Sequence, residues 1–337
     1  MRVVVAPDKF AGTLTAAEAA SAIERGWRSE RPQDEIDVVP MSDGGPGFVA
    51  VLDAVLTAET VAVATTGPHD GPVVASLLVA RAGDGVTVYV EAAQVCGLAI
   101  AAQPSRPLEA TTAGLPAVLR AALAIGAHRV VVGVGGTAST DGGRPVVEQL
   151  AGHWPSSVEL VAAVDVDGPL LGPRGAARSF AAQKGATATE VGLLEARLAA
   201  WAAEAEVDPT VPGAGAGGGL GFGLSVLGAR LESGASVVAA AVGLPNRVAA
   251  ADLVITGEGR LDATSWSGKV VGWVAGAAST TGRPCLALVG ESSVTVGQAA
   301  AHGVSSVWSV SDLVGPELAR LEASTSLMLA AARAARE

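Results

Sequence analysis

Short apolar runs recur along the chain, each cut off by Gly, Pro or a lone carboxylate, and the segments between them carry apolar residues at helical spacing. RVVVA at 2–6 is β-branched and closed by Pro7, which predicts a buried strand. Thr15 followed by Glu18 reads as a capping box, and Ala19, Ile23 and Trp27 then repeat on one helical face. The next strand, 36–39, runs to Asp43-Gly44-Gly45 and completes a β-α-β unit. The C-terminal part alternates in the same way. Strands are predicted at 252–256, 285–290 and 305–310, helices at 268–279 and 296–303, and a closing helix at 317–335. Such alternation argues for a parallel, doubly wound sheet.

The middle of the chain has a different texture. Residues 61–90 give β-like segments divided by Gly and Pro, followed by a helix near 115–125 and strands near 129–134 and 158–164. Thr187 with Glu190 caps a helix whose Val191, Leu194, Leu198 and Trp201 share one apolar face. The fold class predicted is α/β with two α/β domains. Residues 1–65 and 250–337 form a discontinuous Rossmann-like domain with a doubly wound parallel sheet. Residues 66–249 form an inserted α/β domain, with the active site expected in the cleft between the two.

Composition narrows the function. At 337 residues with 50% hydrophobic content the chain is globular, and 3% aromatics leave the core to Val, Leu, Ile and Ala. A net charge of −11 argues against nucleic acid or an anionic membrane surface as a partner, since both select basic patches. Cys96 and Cys285 are the only cysteines, too few for a zinc site or a disulfide framework. No apolar run approaches the ~20 residues of a membrane span, and the N-terminus is too short in apolar residues for a signal peptide, so a cytoplasmic protein is expected.

Parallel sheets put ligands beyond the carboxyl ends of their strands. Three predicted strand ends carry carboxylates here: Asp43, Asp141 (in VGVGGTASTDGG) and the pair Asp165 and Asp167. One Asp-Gly turn is ordinary. Three polar strand ends in one chain point to a shared anion and metal cleft. DLVITGEGRLDATSWSGK predicts a strand running into a Gly-rich turn with Glu258, Arg260 and Asp262, without the spacing of a Walker A loop. PGAGAGGGLGFG, 212–223, follows no strand and reads either as a flexible linker or as a mobile loop approaching a ligand. Arg174, Arg178 and Lys184 cluster just after Asp165 and Asp167, as a carboxylate or phosphate clamp would.

Taken in order, MRVVVAPDKFAGTLTAAEAA, SDGG, VGVGGTASTDGG, DVDGPLLGPRGA, QKGAT, GAGAGGGLGFG and ADLVITGEGRLD resemble the motifs of type-I glycerate kinases, from the first residues to past Lys269. The resemblance implies a two-domain α/β kinase that phosphorylates D-glycerate with ATP and Mg²⁺, giving 2-phosphoglycerate. Carried over residue by residue, it implies Asp43, Asp141 and Asp165 as catalytic carboxylates and Asp43, Asp141 and Asp167 as metal ligands. Lys9, Gly44, Gly45, Gly135, Gly136, Thr137, Arg174, Lys184, Glu258, Arg260 and Asp262 are expected to hold substrate or phosphate. Association as a homodimer is left open. The chain departs from the family pattern at Ala11, Pro46, Phe48, Thr140 and Gly168. Those departures keep two alternatives in play: a kinase for a related sugar acid, or a catalytically silent paralogue that binds a sugar acid or nucleotide.

Overall fold

A computed structural model of the chain describes residues 1–337, which divide into two compact units. Residues 1–43 with 235–337 form one, and 44–234 the other. Eleven strands run through the chain. In order they are β1 (Arg2–Pro7), β2 (Glu35–Val38), β3 (Ala58–Thr66), β4 (Pro72–Ala82), β5 (Gly85–Glu91), β6 (Arg129–Gly133), β7 (Glu159–Val164), β8 (Arg230–Ser233), β9 (Leu253–Leu261), β10 (Cys285–Ser292) and β11 (Ser306–Ser309). The division falls earlier at both crossings than the sequence suggests. β3 pairs along its whole length with β4, which draws 44–65 into the second unit, while helices Gly234–Ala241 and Leu244–Ala249 belong with the first.

The first unit holds a five-stranded, all-parallel sheet in the order β11-β10-β9-β1-β2. Its helices lie in two layers, as a doubly wound sheet requires. Thr15 caps helix Ala16–Glu30 through the box with Glu18, and Ala19, Ile23 and Trp27 of that helix pack with Leu327, Ala330 and Ala331 over Val3, Val5 and Ile255. Helix Val270–Thr280 packs on β9 and β10, with Val270, Val271 and Val274 buried. From β1 the strand order proceeds outward to β2 on one side, and through β9, β10 and β11 on the other. The switch point therefore lies between β1 and β9, where an open α/β sheet leaves a crevice at its carboxyl ends. The closing helix is split: Pro316–Leu321 and Ala323–Ala334 break at Glu322, whose φ of −117° and ψ of 44° are not helical.

The second unit is built on a six-stranded sheet in the order β3-β4-β5-β6-β7-β8. β3, β4 and β5 form an antiparallel meander and β5 to β8 run parallel. Val88, Val90, Val130, Val132, Leu160 and Ala162 supply the sheet's share of one core, beneath Leu115, Val118 and Leu119 of helix Leu115–Ala124. A second core gathers Leu194, Leu198 and Trp201 from the capped helix Ala188–Glu204 against Leu170 and Phe222. The Gly-rich 212–223 segment is packed into the fold and is not a linker. It enters helix Ala216–Val226, with Gly217, Gly218 and Gly219 in the left-handed region and most of the segment buried. No helix in either unit is long and apolar enough to cross a membrane.

Candidate active site

At the switch point of the first unit, β1 delivers Asp8 and Lys9, β9 delivers Glu258, Gly259 and Arg260, and β10 delivers Gly290 and Glu291 to a cavity of about 630 Å³. GEGRL is strand, not the turn expected: Gly257 pairs with Pro7 and Glu258 with Val289. Glycine is needed there because a Cβ at 257 would stand 2.1 Å from the Leu288 carbonyl oxygen. Asp43 lines the same cavity, and its Oδ1 accepts from the Lys9 ammonium at 2.8 Å, with Asp8 3.6 Å from that nitrogen.

Burial, then the charge of Asp43, pushes the Asp8 carboxyl up to about 7, even though Lys9 draws it down. Burial pushes Glu258 up to about 7 as well, with the Ser265 hydroxyl offsetting part of it, and Glu258 Oε1 is buried without a hydrogen-bond partner. Converging buried carboxylates of this kind are relieved by a cation. Asp262 caps the short turn Ala263–Trp266, accepting from the Thr264 hydroxyl at 2.6 Å and the Thr264 amide at 2.8 Å, and that bonding, the hydroxyl first, holds its carboxyl below the usual range. Arg260 is exposed at the cavity rim, 3.8 Å from Asp262 and 3.6 Å from Glu291. Lys269, at the N-terminus of helix Val270–Thr280, completes the wall.

The second unit has its own polar recess, of about 100 Å³, at the carboxyl ends of β6 and β7. Gly136 and Thr137 follow β6, Asp165 follows β7, and Lys184 arrives on the short turn Ala182–Lys184. The Lys184 side chain is buried, donating to the Ser139 carbonyl at 2.6 Å and reaching the Thr137 hydroxyl at 3.5 Å. Desolvation lowers its ammonium to about 8, while the charges of Asp141 and Asp165 act in the other direction. Gly217 and Gly218 form the opposite wall. A Cβ at 218 would lie 1.9 Å from the Ser139 carbonyl oxygen and 2.9 Å from Lys184 Nζ, so only glycine lets this backbone approach. Gly44, Gly45 and Gly135 line the chain path beside Asp165. The Gly135 amide donates to the Gly44 carbonyl at 3.1 Å, and a Cβ at 135 would meet Gly45 and the Asp165 carboxylate.

The remaining predicted residues fall elsewhere. Asp141 has its carboxylate taken up by the Thr112 amide at 2.7 Å, the Thr112 and Thr111 hydroxyls at 3.0 and 3.2 Å, and the Gly143 amide at 3.1 Å. Asp167 and Arg174 are exposed and line neither recess. Arg178 is 3.6 Å from Glu195. Of the basic cluster, Lys184 alone enters a recess. Asp8, Lys269, Gly217 and Gly218 were not among the expected site residues. Asp8 could have been found, since it ends a strand as the other carboxylates do.

No three His, Cys, Asp or Glu side chains form a self-contained metal centre. A Mg²⁺ ion carried by phosphates asks for one or two carboxylates and no more. Asp8, Asp43 and Glu258 offer oxygen donors to the cavity, an orphaned Oε1 among them, and any two of the three meet that demand.

A family model described as the glycerate kinase family matches residues 3–154 and 151–337. A Bacillus subtilis glycerate kinase is 36% identical over 346 residues, covering 92% of this chain and 90% of its own length. An Escherichia coli glycerate 2-kinase is 34% identical over 351 residues, covering 94% and 92%. A crystal structure from Salmonella typhimurium LT2, provisionally named glycerate kinase 2, superposes with a TM-score of 0.79 at 31% identity, covering 100% of this chain and 97% of that one.

Proposed function

The chain belongs to the glycerate kinase family, and from that premise we propose that it transfers the γ-phosphoryl group of ATP to D-glycerate in the cytoplasm, forming 2-phosphoglycerate. The observation that carries the reading is the small recess of the second unit. There a buried ammonium, Lys184, and a carboxylate, Asp165, face a space of about 100 Å³ walled by glycine backbone. A three-carbon hydroxy acid needs those groups: a cation for its carboxylate and a base for its hydroxyl.

We assign the nucleotide to the larger cavity of the first unit. Its volume of about 630 Å³, its place at a switch point and its cations Lys9, Arg260 and Lys269 support that assignment. Asp8, Asp43 and Glu258 are the residues that would hold Mg²⁺, which when bound neutralises charge on the phosphates. Lys9, already 2.8 Å from Asp43, sets the position of that carboxylate and brings a positive charge to the phosphate site. Lys184 anchors the glycerate carboxylate through a hydrogen on Nζ not used by Ser139. Thr137 donates to or accepts from a second substrate oxygen. Asp165 accepts the proton of the reacting hydroxyl as the oxygen attacks. Phosphoryl transfer requires little covalent chemistry of the protein, so positioning and charge carry most of the acceleration.

Asp165→Asn tests the assignment of the base. It is expected to lower kcat by roughly 10²–10⁴, with D-glycerate still raising the melting temperature. An unchanged kcat would remove Asp165 from the role.

A further inference from the structure

Resting on the reading of the Lys184 recess given above, we propose that Asp141 is a positioning residue: a buried clamp that fixes the backbone gripping Lys184, and neither the general base nor a metal ligand. Its Oδ2 accepts three hydrogen bonds, from the Thr112 amide at 2.7 Å, the Thr112 hydroxyl at 3.0 Å and the Thr111 hydroxyl at 3.2 Å. Its Oδ1 accepts from the Gly143 amide at 3.1 Å. A carboxylate offers about four lone-pair positions in all. A base or ligand needs one aimed at substrate or metal; here three donors crowd Oδ2 and one takes Oδ1, so most of the carboxylate is committed to its own fold.

What the bonds hold is specific. Thr111 and Thr112 belong to the segment before helix Leu115–Ala124, and the Thr111 hydroxyl also accepts from the Ala113 amide at 3.1 Å. Asp141 ties that segment to the turn between β6 and helix Arg144–Leu150. The same turn carries Ser139, whose carbonyl takes the Lys184 ammonium at 2.6 Å, and Gly142, whose amide donates to the Gly218 carbonyl at 3.1 Å. Gly218 is the wall facing Lys184, so one carboxylate secures both the acceptor of the ammonium and the backbone opposite it. Asp141 itself borders another cavity of about 310 Å³, with Arg144, Arg197 and Trp201, and does not line the Lys184 recess.

The test compares Asp141→Asn with the double variant Thr111→Val/Thr112→Val in the full-length protein. The double variant removes two donors but leaves the Asp141 carboxylate in place, so clamp and chemistry can be told apart. Both variants are expected to raise KM for D-glycerate by about tenfold, the loss of one well-placed contact, with a smaller fall in kcat and an unchanged Mg²⁺ concentration for half-maximal rate. A second readout needs no turnover. Acylation of Lys184 by an amine-reactive reagent, read by mass spectrometry, is expected to quicken at least about fivefold in both variants. If the wild-type protein does not phosphorylate glycerate, the functional reading fails and the labelling alone decides the clamp. Asp141→Asn failing to fold leaves the double variant to carry the comparison. The proposal is overturned by unchanged Lys184 labelling in the double variant, by a kcat loss of a hundredfold or more in Asp141→Asn at constant KM with the double variant near wild type, or by a shifted Mg²⁺ requirement.

Discussion

Replacing Lys184 by Met separates function from stability. The ammonium is buried, and its pKa falls from 10.5 to about 8 through desolvation. That difference corresponds to about 3 kcal/mol held against the charged form in the folded protein. Met removes the cost, but it also removes the 2.6 Å bond and leaves the Ser139 carbonyl oxygen unpaired, a loss of about 1–3 kcal/mol. The two nearly cancel, so Lys184→Met should unfold in urea within about 2 kcal/mol of wild type at pH 7, while KM for D-glycerate rises sharply. The pH dependence gives the sign. Because the folded pKa lies below the unfolded one, the unfolded chain binds more protons between pH 8 and 10.5, and wild-type stability gains in that window from this group. Cys96, nearby, is pushed up to about 12 and keeps its proton in the fold. Urea unfolding of both proteins at pH 7, 8, 9 and 10 isolates the lysine, since the other groups cancel in the difference. Wild type should gain on Lys184→Met by about 2–3 kcal/mol across the series. A difference that stays flat, or a variant that loses more than about 4 kcal/mol at pH 7, would refute the picture of a strained buried ammonium.

Gly218→Ala should cost at least about 2 kcal/mol in urea unfolding, because φ is +69° and the new Cβ would overlap the Ser139 carbonyl oxygen; a variant as stable as wild type would mean that the wall is looser than described. In Mg²⁺-free buffer, Asp8 and Glu258 both titrate above their ordinary values in the fold, which then holds more protons than the unfolded chain from about pH 4 to 7. The melting temperature of the metal-free protein should therefore fall across that window, and Glu258→Gln should flatten the fall; an identical slope in the variant would exclude Glu258 as a source.

Much of this architecture is legible in local sequence because local physics decides it. The boxes Thr15–Glu18 and Thr187–Glu190 close their helices with the bonds their spacing implies, and RVVVA and CLALVG are β-branched or apolar runs that a buried parallel strand requires. The misreadings occur where tertiary contacts override propensity. GEGRL is punctuated like a turn, yet β1 and β10 flank it and extend the strand through both glycines. GAGAGGG has the composition of a linker, yet Val164, Pro169, Val134, Ser139 and Gly142 press in turn on Gly213, Gly215, Gly217, Gly218 and Gly219 and give each a packing duty. Lys184 could be picked out as a cation beside carboxylates. No spacing rule, however, could say that Arg178 would turn to Glu195, that Arg174 would face solvent, or that Thr111 and Thr112 would come to Asp141 from about thirty residues away. Those choices depend on strand order, which joins segments remote in sequence.

The most direct test of the central claim is turnover of the purified protein with ATP, Mg²⁺ and D-glycerate, followed by ADP release, with the product's phosphorylated position read by phosphorus NMR. The account predicts ADP formation that depends on D-glycerate and a single product phosphorylated at the 2-position. ATP and D-glycerate that raise the melting temperature without any ADP release would contradict it, and would identify a binding protein on a kinase fold.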